Sequence, residues 1–134
     1  MIIDYNLQFS DAQSVTADAA STNIIDLGSD RDIGPGEEMK IALNFDVAMG
    51  GSSPTLAVLV QTDDNASFSS ATTVLTSRSI AAAAVGDQLV LGLPDTNERY
   101  VRLYYDVGGS SPTMTVSASV VKDAQQSTSY PDAT

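Results

Sequence analysis

Three features of the sequence predict an all-β fold: segments in which apolar and polar residues alternate, an identical Gly-Gly-Ser-Ser-Pro-Thr block occurring in two of them, and no stretch with a convincing amphipathic helical pattern. Alternation places successive side chains on opposite faces, so each such segment has one face made for a core. The expected architecture is a two-sheet antiparallel sandwich, with a jelly roll built of two Greek keys favoured because the repeated block suggests two related halves. An immunoglobulin-like sandwich is the competing topology, and the missing Cys and Trp hallmarks count only weakly against it.

Residues 1–122 are expected to form a single β-sandwich domain. An extended N-terminal arm occupies residues 1–10, where Ile3, Tyr5, Leu7 and Phe9 fall at every second position. Ser10 to Ser21 is small and polar and has little to bury. Thr22 to Leu27 reads as a short strand, and the glycines and proline of Gly28 to Gly36 as a turn. Met39, Ile41, Leu43, Phe45 and Val47 make the cleanest alternation of the chain, a half-buried strand. The first block, Gly50 to Thr55, follows Phe45-Asp46-Val47, and the second, Gly108 to Thr113, follows Tyr105-Asp106-Val107. Both read as turns of twin hairpins, the second of which joins two arms between Arg99 and Val121. Leu56 to Val60 is nearly continuous in apolar residues, as expected for a strand covered on both faces. Asp63 to Ser70 is a polar loop anchored by Phe68, and Thr73 to Ile80 is strand-like. Ala81 to Ala84 has the composition of a short helical turn, stopped by Gly86. Leu89, Leu91 and Leu93 share one face of a strand that ends at Pro94. Residues 123–134 carry one aromatic and no core pattern, and are expected to be a flexible tail.

Composition narrows function. A chain of 134 residues suits one domain without disulfide staples, and it contains no cysteine. Seventeen acidic against six basic residues give a net charge of −11, which repels phosphate backbones and anionic membrane surfaces, so neither nucleic acid nor membrane is an expected partner. No apolar run is long enough to cross a bilayer, and Met1-Ile-Ile-Asp-Tyr-Asn lacks the basic start of a signal peptide. With no His and no Cys, the commonest general base and the thiol nucleophile are missing; a non-enzymatic protein without cofactors is expected.

The acidic stretch Asp26, Asp30-Arg31-Asp32, Glu37-Glu38 offers oxygen atoms of the kind calcium takes, but in no ordered ligand spacing, and reads as a solvated turn in which Arg31 pairs locally. Asp63-Asp64-Asn65 reads the same way. No metal site, catalytic residue or cofactor-binding residue is assigned. The strand from Arg99 to Tyr105 sets Tyr100, Arg102 and Tyr104 on one side, against Val101, Leu103 and Tyr105 on the other. Tyr and Arg are enriched at protein interfaces, which makes this face a candidate partner contact as well as a face of ordinary snorkelling side chains. The apolar arm (Ile3, Tyr5, Leu7, Phe9) and Tyr130 in the tail are candidate bridges to neighbouring subunits.

The runs Ser21 to Gly28, Arg31 to Glu38, Leu59 to Asp64 and Arg99 to Tyr105 resemble, in that order, the jelly-roll capsid cement (decoration) proteins of tailed bacteriophages. The resemblance covers about Met1 to Val121 and implies a structural protein, made in the host cytoplasm, that sits on the capsid exterior of the virion. Its implied partners are the major capsid protein, whose neighbouring subunits it would clamp, and itself, as a homodimer or homotrimer. The alternative from a different class is a carbohydrate-binding β-sandwich module of a receptor-recognition apparatus, with Tyr100, Tyr104 and Tyr105 as the clustered aromatics.

Overall fold

The computed structural model describes residues 2–29 and 36–125. It is all-β, with one seven-stranded antiparallel sheet that folds over on itself into two layers. The strands are β1 (Gln8–Val15), β2 (Ala19–Ala20), β3 (Ile25–Asp26), β4 (Lys40–Asp63), β5 (Thr72–Thr76), β6 (Gln88–Gly92) and β7 (Tyr100–Val121). Two of them are unusually long, and they organise the rest. β4 and β7 pair with each other along their whole length, from Lys40↔Val121 to Asp63↔Tyr100.

Each half of this ribbon serves one layer. In the first, β1 pairs with residues 114–119 of β7, the end of β7 pairs with residues 40–47 of β4, and β6 completes the layer against Lys40 to Asn44. In the second, β2 and β3 pair with residues 100–105 of β7, residues 100–107 pair with residues 56–63 of β4, and β5 closes the far edge. Counting arms along the chain, the layers run first-eighth-third-sixth and second-seventh-fourth-fifth, which is the jelly-roll order. The core lies between them. Ile41, Leu43, Phe45, Met114, Val116 and Val120 from one layer face Leu56, Val58, Val60, Val101, Leu103 and Tyr105 from the other, all buried.

The twin Gly-Gly-Ser-Ser-Pro-Thr blocks are not hairpin turns. Both lie inside continuous strands, facing one another where the ribbon passes from one layer to the other, with Gly50 opposite Thr113, Ser52 opposite Ser110 and Thr55 opposite Gly108. Each arm therefore pairs with an arm of the other copy. Register shifts from Phe45 to Thr55, and the left-handed backbone of Gly51 (φ 109°), Ser53 (φ 50°), Gly109 (φ 98°) and Ser111 (φ 51°), supply the local bend. Pro54 and Pro112 are accommodated there because the ladder is already irregular.

Other expectations shift at the ends of elements. The arm is not extended throughout: Tyr5–Leu7 is a 3-10 turn, capped by the Asp4 carboxylate accepting from Asn6 N at 2.9 Å, and β1 starts at Gln8. The polar stretch after Ser10 holds most of β1. Thr22 to Leu27 contributes only Ile25–Asp26 as strand. Ala81 to Ala84 forms no helical turn, since Ala83 O accepts from Met49 N at 3.0 Å and the segment lies against the ribbon. Of the tail, residues 123–125 are described, and Gln125 O accepts from Gln88 Nε2 of β6 at 3.1 Å.

A polar chain pins the two layers together. Gln13 Oε1 accepts from Ser10 Oγ at 2.7 Å, and since that hydroxyl has a single proton, the Tyr105 hydroxyl is the donor in its 2.7 Å bond to Ser10. Gln13 Nε2 then donates to Ala20 O, and its Oε1 also accepts from Thr22 N. Tyr105 and Ala20 belong to the second layer, Ser10 and Gln13 to the first. Among the described residues no buried side-chain nitrogen or oxygen lacks a partner.

Candidate functional site

The outer face of the second layer is where the sequence placed a rigid interface. Residues 100–107 of β7 alternate as expected: Val101, Leu103 and Tyr105 enter the core, and Tyr100, Arg102 and Tyr104 stand half-exposed on the outside. Across the ladder, Gln61 of β4 is paired with Arg102 and Leu59 with Tyr104. Gln61 Oε1 accepts from Arg102 Nε at 2.8 Å. The guanidinium carbon lies 4.2 Å from the centre of the Phe68 ring and 5.9 Å from that of Tyr104. Arg102 is thus stacked and tethered, its planar end fixed rather than free to sweep.

Phe68 reaches this position because of the loop that carries it. The Asp63 carboxylate accepts from Asn65 N at 2.9 Å and Ser70 N at 2.8 Å, closing the loop on itself, and Phe68 N donates to Asn65 O at 2.9 Å. Phe68, in the left-handed region at φ 52°, turns its ring inward and is almost fully buried. The backbone hydrogen bond from Asn65 first, and those from Ser70 after it, hold the Asp63 carboxyl below the usual carboxylate range against the opposing cost of burial. A group whose acidity is raised by folding stabilises the fold above its unfolded pKa, and that contribution fades as pH falls through the lower folded value. Asp63→Ala is expected to leave the sandwich folded but to open the loop, read as faster protease cleavage between residues 64 and 70 and loss of order at Phe68.

Arg99, just before β7, is in a different state. It forms a two-pronged pair with Asp26 of β3, Nε to Oδ1 at 2.7 Å and Nη2 to Oδ2 at 2.8 Å, and lies 4.9 Å from the Tyr100 ring. The hydrogen bond from Arg99, joined by one from Gly28 N, brings the Asp26 carboxyl down to about 2. Elsewhere the acidic residues act locally. Glu37 pairs with Lys122, Asp64 accepts from Arg99 N, and Thr62 donates to Glu98. Asp30, Arg31 and Asp32 lie outside the described residues. Among the described residues no group of three or more His, Cys, Asp or Glu side chains is placed to hold a metal ion.

The remaining expected contacts divide. Ile2 is 95% exposed and Tyr5 76%, and Ile3 is also exposed, so the start of the arm presents apolar surface. Leu7 is half-buried against the core. Phe9 is a correction: it is fully buried between the layers, with no surface left to offer a partner, because strand β1 begins just before it. Tyr130 lies outside the described residues. The arm and the Tyr100, Arg102, Tyr104 face do not form one site, since Gln8 at the end of the arm pairs with Ser119 in the first layer and the face belongs to the second. Gln61 and Phe68 are the members that sequence reading missed. A lone anchoring aromatic in a polar loop was the one visible hint.

A protein-family model described as Bbp16 matches residues 9–125, from the second residue of β1 to beyond the end of β7. No curated protein matches the chain.

Proposed function

The chain belongs to the Bbp16 family, which is phage-associated, and from that premise we propose that it is a non-enzymatic cement protein of a bacteriophage head. In this reading it binds the capsid exterior, oligomerises, and bridges neighbouring major capsid protein subunits. The observation that carries the proposal is the pair of surfaces a sandwich of this size has no internal use for. One is the exposed Ile2, Ile3 and Tyr5, and the other is the rigid face of Tyr100, Arg102 and Tyr104. The jelly roll supplies a stiff scaffold that holds the two apart.

Stabilisation would come from mass action: a protein that binds only the assembled lattice stabilises it by its own binding free energy. An oligomer touching several capsomers gains further from effective concentration, so modest contacts per subunit suffice. The direct test is to mix the purified protein with heads that lack it and image the particles. Ordered density on the shell and a raised disruption temperature are expected. Unbound heads, or reproducible binding on a glycan array instead, would favour the carbohydrate-binding module. Light scattering on the isolated protein is expected to report a defined oligomer.

The arm separates binding from folding. Deleting residues 1–4 is expected to weaken head binding while leaving the unfolding midpoint in place, since Ile2 and Ile3 are exposed. Phe9→Ala should do the reverse, lowering stability by about 3–5 kcal/mol through the cavity it opens.

A further inference from the structure

We propose that Arg102 is a receptor for a single carboxylate side chain of the protein on which this chain docks, an inference that rests on the cement reading above. The observation is a contrast between Arg99, just before β7, and Arg102 within it. Arg99 already has its carboxylate, Asp26, gripped at two points. Arg102 has none. Its Nε is held by the neutral amide oxygen of Gln61, its plane is backed by Phe68, and neither terminal nitrogen takes part in a hydrogen bond with the described residues. An amide tether orients a guanidinium without neutralising it, so the fork keeps its charge and its paired outward donors.

The surroundings favour a carboxylate on a partner of different sequence. Of the neighbours on the face, Tyr100, Tyr104, Leu59 and Gln61 are uncharged, and the two carboxylates opposite Tyr100 are already taken, Asp63 by Asn65 N and Ser70 N and Asp26 by Arg99, so Arg102 is a local positive point on a molecule whose net charge is −11. A second copy would bring that same negative charge to the contact. A partner carboxylate finds attraction at one spot and repulsion or indifference elsewhere, which fixes its register as well as holding it. Little ordering remains to be done on binding, because the side chain is already stacked.

The test uses the full chain and heads lacking it. Arg102→Gln is expected to weaken binding at least tenfold, and Arg102→Lys by an intermediate factor because an ammonium cannot present a fork. Gln61→Glu should match Arg102→Gln, since it supplies the missing carboxylate from within, and it leaves Arg102 in place. Arg78→Gln, which removes the same charge from an exposed arginine, is expected to bind like the parent. Unfolding midpoints keep folding defects apart from binding defects. Parent-like binding by folded Arg102→Gln and Gln61→Glu would overturn the proposal, and so would an equal loss in Arg78→Gln, which would mean net charge alone matters. A shift in oligomeric state with unchanged head binding would reassign the fork to a second copy and also overturn it. Failure of the unaltered protein to bind heads would instead sink the cement reading itself.

Discussion

Gly109→Ala is expected to destabilise the protein by roughly 3 kcal/mol, and Gly51→Ala by a similar amount. At Gly109 the backbone is left-handed, at φ 98°, and an added Cβ falls 2.5 Å from Ser53 O, 2.9 Å from Pro54 Cα and 2.9 Å from Ser52 O. At Gly51, with φ 109°, it falls 2.6 Å from Ser111 O and 3.0 Å from Pro112 Cα. The obstacles are main-chain atoms of the facing block, so no rotamer change relieves them. The two sites also share one crossing, and the double variant should fall short of the sum of the singles. Gly108→Ala provides the internal comparison. Its Cβ meets Thr55 Oγ1, a side-chain atom that can turn away, and the cost should be smaller and be relieved by Thr55→Ala. Urea unfolding reads all of these as lower midpoints at unchanged slope. A Gly109→Ala protein as stable as the parent would mean the ribbon does not cross as described.

Tyr105→Ala is expected to cost about 3–5 kcal/mol, among the largest effects of any single truncation, because the side chain is completely buried and ties the layers through Ser10. Tyr105→Phe keeps the ring and removes one hydrogen bond, for about 1 kcal/mol. The same residue makes an alkaline signature. Burial pushes its hydroxyl up to about 12, the bond to Ser10 opposing the shift. The unfolded chain, near 10, releases that proton first, so stability is complete below pH 10 and declines as pH rises toward 12, by about 2–3 kcal/mol in all. Midpoints measured across that interval should fall for the parent and be flatter by that amount for Tyr105→Phe. Equal slopes in the two proteins would remove Tyr105 from the account.

Much of the architecture was legible because the longest strands alternate cleanly. Ile41, Leu43 and Phe45, and likewise Met114, Val116, Ala118 and Val120, lie in the core as their spacing requires. Strand β1 was not visible. Register shifts between Gln8 and Gln13, and the left-handed backbone of Ala12 at φ 46°, break its period, so buried Phe9, Ser10 and Val15 never fall into step. The twin blocks misled for a related reason: Gly, Ser and Pro serve a turn and a bulged crossing equally well, and only the partner strand decides between them. The candidate site shows the same division. The outward set of Tyr100, Arg102 and Tyr104 follows from period alone, whereas Gln61 lies 41 residues from Arg102 and Phe68 comes from a loop, so their convergence needed the fold.

The continuity of β4 and β7 through both layers has a mechanical consequence. In a sandwich whose layers are separate sheets, tension applied across the molecule can open the greasy seam between them. Here the same two strands run uncut from one layer to the other, so such a pull is carried by covalent backbone and by ladder bonds loaded side by side in shear. If the proposed cement role holds, a clamp made this way should yield first where it is fastened to its neighbours, and only afterwards within itself.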